Sequence, residues 1–213
     1  MQKIIDLNSV EICLIKPDED DFSKLDCREN DGNDPLRVQD YLANKALDYL
    51  EGKVSAIYVV KQNERILAFS TLSMTGLEYY RLGGDDKLPY YTPKSYPAVR
   101  LGYMGVDKNS RGQGLGQLIC DFCIGRALIL SKQIACRYIV LDTNEDKAGY
   151  YENKCGFKKS GKTSSNGNVS MYKRLLLVRS VNETVGISES VIVMKTTVQN
   201  KKDEGEEQAK ENK

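Results

Sequence analysis

The 213-residue chain contains no histidine and no tryptophan. Without imidazole, neither a Ser-His-Asp nor a Cys-His catalytic unit can be assembled. Acid–base chemistry is left to carboxylates, Tyr, Lys, Cys or the substrate itself. The same absence argues against a metal: the CxxC pair Cys120 and Cys123 lacks two further zinc ligands at suitable spacing. That pair falls inside an expected helix and reads as helix packing. Six cysteines in a chain neither short nor exported read as reduced, mostly buried thiols. No apolar run reaches the ~18 residues of a membrane-spanning helix. Met1–Asp6 lacks the apolar stretch of a signal peptide, so a soluble cytoplasmic protein is expected. A net charge of only +1 gives no bulk signal for nucleic acid or a membrane surface.

What is present suffices for one core. Apolar residues make up 40% of the chain, enough for one domain over residues 1–200. Residues 201–213 hold four Lys, five acidic residues and no large apolar side chain, so a disordered charged tail is expected there. Strands are expected over Val10–Ile15, Ser55–Val60, Ile66–Met74, Ala98–Val106 and Tyr138–Leu141. Gln62-Asn63-Glu64 signals a hairpin between the second and third. Asp18–Asp34 is acidic and turn-rich. Leu36–Leu50, Leu115–Leu130 and Asp146–Lys154 carry helical spacing, with Gly52 and Gly156 as stops. Thr75–Pro97, rich in Tyr and holding three of the five prolines, reads as a long loop, functional or covering core. Ser170–Leu177 and Val191–Thr197 compete for the last strand. The order mixes hairpins with a βαβ unit, which gives an α+β (mixed α/β) class around one sheet.

The strand ending at Val106 runs into Arg111-Gly112-Gln113-Gly114-Leu115-Gly116 and then a helix. Glycines let successive N–H groups face one centre, and the helix start adds about half a positive charge. Such a turn binds pyrophosphate without a metal, and Arg111 can add a charged fork. Walker A and dinucleotide spacings are both absent. Downstream, Asn144 is followed seven residues later by Tyr151 and then by Gly156-Phe157. With both motifs in this order, residues 98–160 resemble the GNAT acetyltransferase superfamily. Arg111, Gly114 and Gly116 match its R/Q-x-x-G-x-G/A coenzyme motif. Lys147 departs from the pattern, where the family usually has Ala, and is expected to expose that helix face.

The resemblance implies one central mixed sheet in which parallel strands 98–106 and 137–142 splay apart, flanked by helices. It implies acetyl-coenzyme A as cosubstrate and no metal, with pantetheine against Met104, Gly105 and Val106. The N–H near Val106 would hold the thioester oxygen. Arg111, Gly112, Gln113, Gly114, Leu115, Gly116, Asn144 and Tyr151 complete the expected coenzyme-binding set. Tyr151 is the implied general acid for the departing thiolate, while Tyr150 reads as core. An α-amine, with a pKa of about 7.7–8.0, is about a third neutral at about pH 7.5 and needs little base; a lysine amine, at about 0.1% neutral, needs one. Glu78 is a candidate base. The reading is an N-acetyltransferase for a small amine, a peptide or protein N-terminus, or aminoacyl-tRNA; a non-catalytic coenzyme-binding regulator is the alternative from another class. The N-terminal half, through Phe22, Cys27, Val38–Leu42, Ile57–Val60, Ala68–Ser73 and Tyr96-Pro97, is similar to toxin-type GNAT proteins that acetylate aminoacyl-tRNA. That similarity brings in an antitoxin partner and a homodimer.

Overall fold

A strand covered on both faces carries apolar side chains at odd and even positions alike. Ala56–Gln62 is such a strand. Ile57 and Val59 pack in a cluster with Tyr41, Leu42 and Phe69, while Tyr58 lies with Phe122 and Val60 with Leu115 and Ile119. The computed structural model describes residues 4–90, 92–163 and 167–175 and places this segment in a seven-stranded sheet. Its strands are β1 (Glu11–Leu14), β2 (Ala56–Gln62), β3 (Arg65–Glu78), β4 (Ser95–Val106), β5 (Tyr138–Thr143), β6 (Lys158–Thr163) and β7 (Val169–Arg174), in the order β1-β2-β3-β4-β5-β7-β6. Only β4 and β5 pair in parallel; the other neighbours are antiparallel. The mixed α/β class is as expected. Helices α1 (Val38–Asn44) and α2 (Ala46–Glu51) cover one face, and α3 (Leu115–Gln133) and α4 (Glu145–Cys155) the other.

Three expectations change. The helix expected over Leu36–Leu50 is two helices, broken at Lys45, whose φ is −136°. Its apolar residues recur every fourth position, and four residues overshoot a helical turn by about 40°. A continuous helix would carry Leu50 about 120° away from Val38. Thr75–Pro97 is not all loop: Thr75–Glu78 pairs with Ser95–Ala98 as the end of a hairpin, with 79–90 and 92–94 in its tip. Gly76 and Pro97 hid those strand ends, although Pro97 still accepts from the Arg137 N–H at 2.9 Å. The tip does cover core, with Leu82 packed beside Tyr96, Tyr138 and Tyr172. Strand β6, of sequence Lys-Lys-Ser-Gly-Lys-Thr, was not expected; as the sheet's edge it shows no apolar alternation. Between the two candidates for a last strand, β7 lies within Ser170–Leu177 apart from its first residue. Val191–Thr197 and the 201–213 tail lie outside the described residues.

Two irregularities position the site. The β4–β5 ladder holds only from Ala98↔Tyr138 to Arg100↔Val140; beyond it β4 stays with β3 and β5 with β7. The expected splay is thus present. Within the opening, Gly102 and Tyr103 of β4 face Thr71 alone, a β-bulge. The Thr71 hydroxyl satisfies it by accepting from the Tyr103 N–H at 2.8 Å.

Candidate active site

Where β4 leaves β5, a cleft of about 690 Å³ opens. That lies within the usual range for ligand sites. Its floor is Met104, Gly105 and Val106 of β4. Arg111, Gly112, Gly114, Leu115 and Gly116 form one rim, and Lys147, Tyr150, Tyr151 and Lys154 of α4 form another. The far wall is the segment from Cys27 to Val38. It lies so close to β4 that a Cβ on Gly105 would stand 2.6 Å from Cys27 Sγ and 2.9 Å from Val38.

The glycine-rich turn takes the shape its chemistry requires. Gly112 and Gly114 have φ of 75° and 86°, a region costly for residues with a Cβ. Gly114 begins α3, and the first bond inside the helix runs from the Leu118 N–H to the Gly114 carbonyl. The N–H groups before it have no partner within the helix. They sit at a rim of the cleft, where an anion meets both them and the positive end of the helix.

Nine of the eleven expected binding residues line this cleft; Gln113 and Asn144 do not. The Gln113 carboxamide oxygen accepts from the Ile5 N–H at 2.7 Å and ties the N-terminal segment to the turn. Asn144 caps α4 by accepting from the Lys147 N–H at 3.1 Å. Arg111 lines the cleft, but its Nε, Nη1 and Nη2 donate to Val106 O, Glu29 and Cys27 O. The fork expected to face phosphate is turned onto the chain itself. Lys147 does more than expose a helix face: it borders the cleft and pairs with Glu29 at 3.1 Å. Glu29 had no signal in the sequence beyond a place in an acidic turn.

Both tyrosines of α4 reach the cleft. Tyr151 lies edge-on to Phe157, with ring centroids 6.1 Å apart. Tyr150 is more than core: its hydroxyl is buried without a partner, 2.9 Å from the Cβ position of Gly116. Burial pushes both phenols well above their usual range, so each keeps its proton. All six cysteines are free thiols. Cys120 and Cys123 are fully buried in the core of α3. Among the described residues, no group of three or more His, Cys, Asp or Glu is placed to hold a metal, and no helix is long and apolar enough to cross a membrane.

A second, polar pocket of about 230 Å³ lies beside the last β4–β5 pair. Asp142 accepts there from Arg100 at 2.6 Å and from the Ser170 hydroxyl at 2.5 Å. Glu78, the candidate base, also lines it and is held by Arg81 at 2.8 Å and by the Tyr80 hydroxyl. The Ser160 hydroxyl is buried in its wall without a partner. Arg100 precedes Met104 by four residues, about 13 Å along the strand.

Comparison with known proteins agrees with this geometry. The profile of the family described as acetyltransferase (GNAT) domain matches residues 53–159. A structure described as a bacterial toxin shares 21% identity over 78% of this chain and 90% of its own, with a TM-score of 0.66. One described as AtaT complexed with acetyl-methionyl-tRNAfMet shares 18% over 78% and 94%, with a TM-score of 0.66. Another, described as AtaTR bound with AcCoA, shares 20% over 79% and 95%, with a TM-score of 0.63. At these identities the likeness establishes a common fold. Comparison with the curated proteins finds no match.

Proposed function

The chain belongs to the GNAT acetyltransferase family, and from that premise we propose that it transfers acetyl from acetyl-coenzyme A to the α-amine of an aminoacyl-tRNA. The observation that carries the donor is the convergence, in one cleft, of the glycine turn, the open edge of β4 and the α4 tyrosines. The residues present fit such a donor. Free N–H groups at the start of α3 suit its pyrophosphate, and the partnerless Tyr150 hydroxyl faces the same rim. The bound donor supplies an activated thioester.

The chain's own residues then have three tasks. The β4 backbone beyond the bulge orients the pantetheine arm, and the N–H near Val106 steadies negative charge on the carbonyl oxygen. Tyr151 gives its proton to the leaving thiolate. From a phenol near pKa 10 to a thiolate near 8.5 this is uphill by about 2 kcal/mol, and the burial of Tyr151 steepens it. The acceptor approaches from the side of the polar pocket, whose carboxylates Asp142 and Glu78 are held by Arg100 and Arg81 and lie too far from Met104 to take the amine's proton directly, so that proton passes to water. An α-amine needs little such help, which suits a chain with no histidine.

The acceptor rests on the neighbours. AtaT is described in complex with acetyl-methionyl-tRNAfMet, and this chain covers 94% of that one. An antitoxin partner, a homodimer and a cytoplasmic location go with the same reading. The test is thiol release from acetyl-coenzyme A across an amine panel that includes charged tRNA. Release with aminoacyl-tRNA, and none with uncharged tRNA, supports the proposal. Release only with small amines or peptides replaces the acceptor. Coenzyme binding with no release for any amine makes the chain a binding protein.

A further inference from the structure

Lys147 is poorly placed for helix stability. It lies in the first turn of α4, where the helix dipole favours acids such as its neighbours Glu145 and Asp146 and disfavours a cation. It also stands where the GNAT pattern has Ala. A cation in such a place calls for an anion, and Glu29 supplies one. The Glu29 carboxylate is shared between Arg111 Nη1 and Lys147 Nζ, each at 3.1 Å. The two cations come from different rims of the cleft, the glycine turn and α4. Glu29 comes from the far wall, in a turn closed by its N–H to Asn33 O at 2.8 Å and by the Gly32 N–H to its carbonyl at 2.9 Å.

We propose that Arg111 and Lys147 form an anion site for one phosphate of the donor, and that Glu29 is a built-in counter-anion which that phosphate displaces. The inference rests on the coenzyme reading above. A carboxylate and a phosphate offer the same oxygens to an Arg fork, but phosphate carries more charge and more acceptors. The three side chains are 31%, 45% and 34% exposed for Arg111, Lys147 and Glu29. Pairs this open to water are weak, so the exchange is permitted. Coulomb attraction to both cations drives it toward phosphate. Glu29 thereby sets donor affinity without touching the thioester: it offsets one of the site's two positive charges while the site is empty and competes with phosphate while it fills.

Calorimetric titration with coenzyme A and with 3′-dephospho-coenzyme A tests this on the wild type, Lys147→Met and Glu29→Gln. Melting curves confirm that each variant is folded. Lys147→Met is expected to bind coenzyme A about tenfold more weakly, and Glu29→Gln at least threefold more tightly. If both differences vanish with the dephospho compound, the site takes the 3′-phosphate; if both persist, it takes the pyrophosphate. Either pattern supports the proposal. Wild-type binding with both variants within twofold of it overturns the anion site and leaves the donor reading standing. So does weaker binding by Glu29→Gln, which would make Glu29 a structural strut. No coenzyme binding by the wild type overturns the donor reading itself.

Discussion

Tyr150 and Tyr151 are adjacent, both half-buried and both in the cleft, yet their expected behaviour differs. Tyr151→Phe removes the acid and is expected to lower kcat by roughly 100-fold or more. Tyr150→Phe removes a hydroxyl that is buried without a partner. Losing an unsatisfied polar group costs the fold nothing, so the melting temperature should hold or rise while kcat changes only a few-fold. Reversed effects on kcat would exchange the two roles. Their pH behaviour follows from burial. A phenol pushed above its usual 10 stays protonated through pH 10, so Tyr151 imposes no alkaline fall. With an α-amine acceptor, kcat/KM should rise to a plateau above about pH 8 and remain there. A decline between pH 8 and 10 would mean that an acid titrates there and that the Tyr151 phenol is not held above its usual range. Tyr151 was legible because its distance from Asn144 is set by the helix that Asn144 caps. The Glu29–Lys147 contact was not, since nothing local in either segment encodes a pairing made by tertiary folding.

At the scale of elements, local chemistry that repeats or punctuates was readable, and chemistry set by a neighbour was not. The β2–β3 hairpin announced itself, and its turn holds Asn63 and Glu64 at φ of 49° and 64°. Such a turn favours Asn-Gly, and a residue with a Cβ in that region costs about 1–2 kcal/mol. Glu64→Gly is therefore expected to raise stability by roughly 0.5–1 kcal/mol after the entropy glycine adds to the unfolded chain. Chemical denaturation measures it, and a loss of stability would show that Glu64 makes a contact outweighing the strain. Gly105 marks the opposite case. Its motif position was visible, but not that its missing side chain admits Cys27, Phe69 and Val38 to within 2.6–2.9 Å of its Cβ site. Gly105→Ala should cost about 1–3 kcal/mol of overpacking and weaken coenzyme binding, because the displaced segment is the wall of the cleft. A variant with wild-type melting and affinity would mean that the wall yields freely. Edge strand β6 and the break at Lys45 are not legible in the sequence for the same reason: pairing and packing decide them, not the local pattern.

The whole molecule lacks the one side chain that titrates near neutrality, so its stability between pH 6 and 8 has no histidine to shape it. Several of its buried thiols and phenols act at higher pH. Burial pushes Cys27 and Cys123 from the usual 9.0 up to about 12. Burial also raises Tyr41, Tyr138, Tyr150, Tyr151 and Tyr172 above 10.0. Each of these groups holds its proton longer folded than unfolded. Above the unfolded pKa the unfolded chain binds fewer protons, so stability falls as pH rises. Their contribution is complete below about pH 8.5 and is lost progressively from pH 9, first through the thiols and then, past 10, through the phenols. An uncompensated proton costs at most about 1.4 kcal/mol per pH unit, and because the unfolded thiols are only about half ionised at pH 9, Cys27 and Cys123 together remove roughly 2 kcal/mol between pH 9 and 10. Set against the 5–15 kcal/mol typical of a domain, that loss predicts a melting temperature that is flat from pH 6 to 8.5 and falls steeply above 9. Cys27→Ala with Cys123→Ala should delay the fall toward pH 10, where the tyrosines take over, even though the double variant starts from a lower plateau. A wild-type curve that stays flat to pH 10 would mean that these thiols ionise while the chain remains folded, and that the wall of the cleft at Cys27 opens to water.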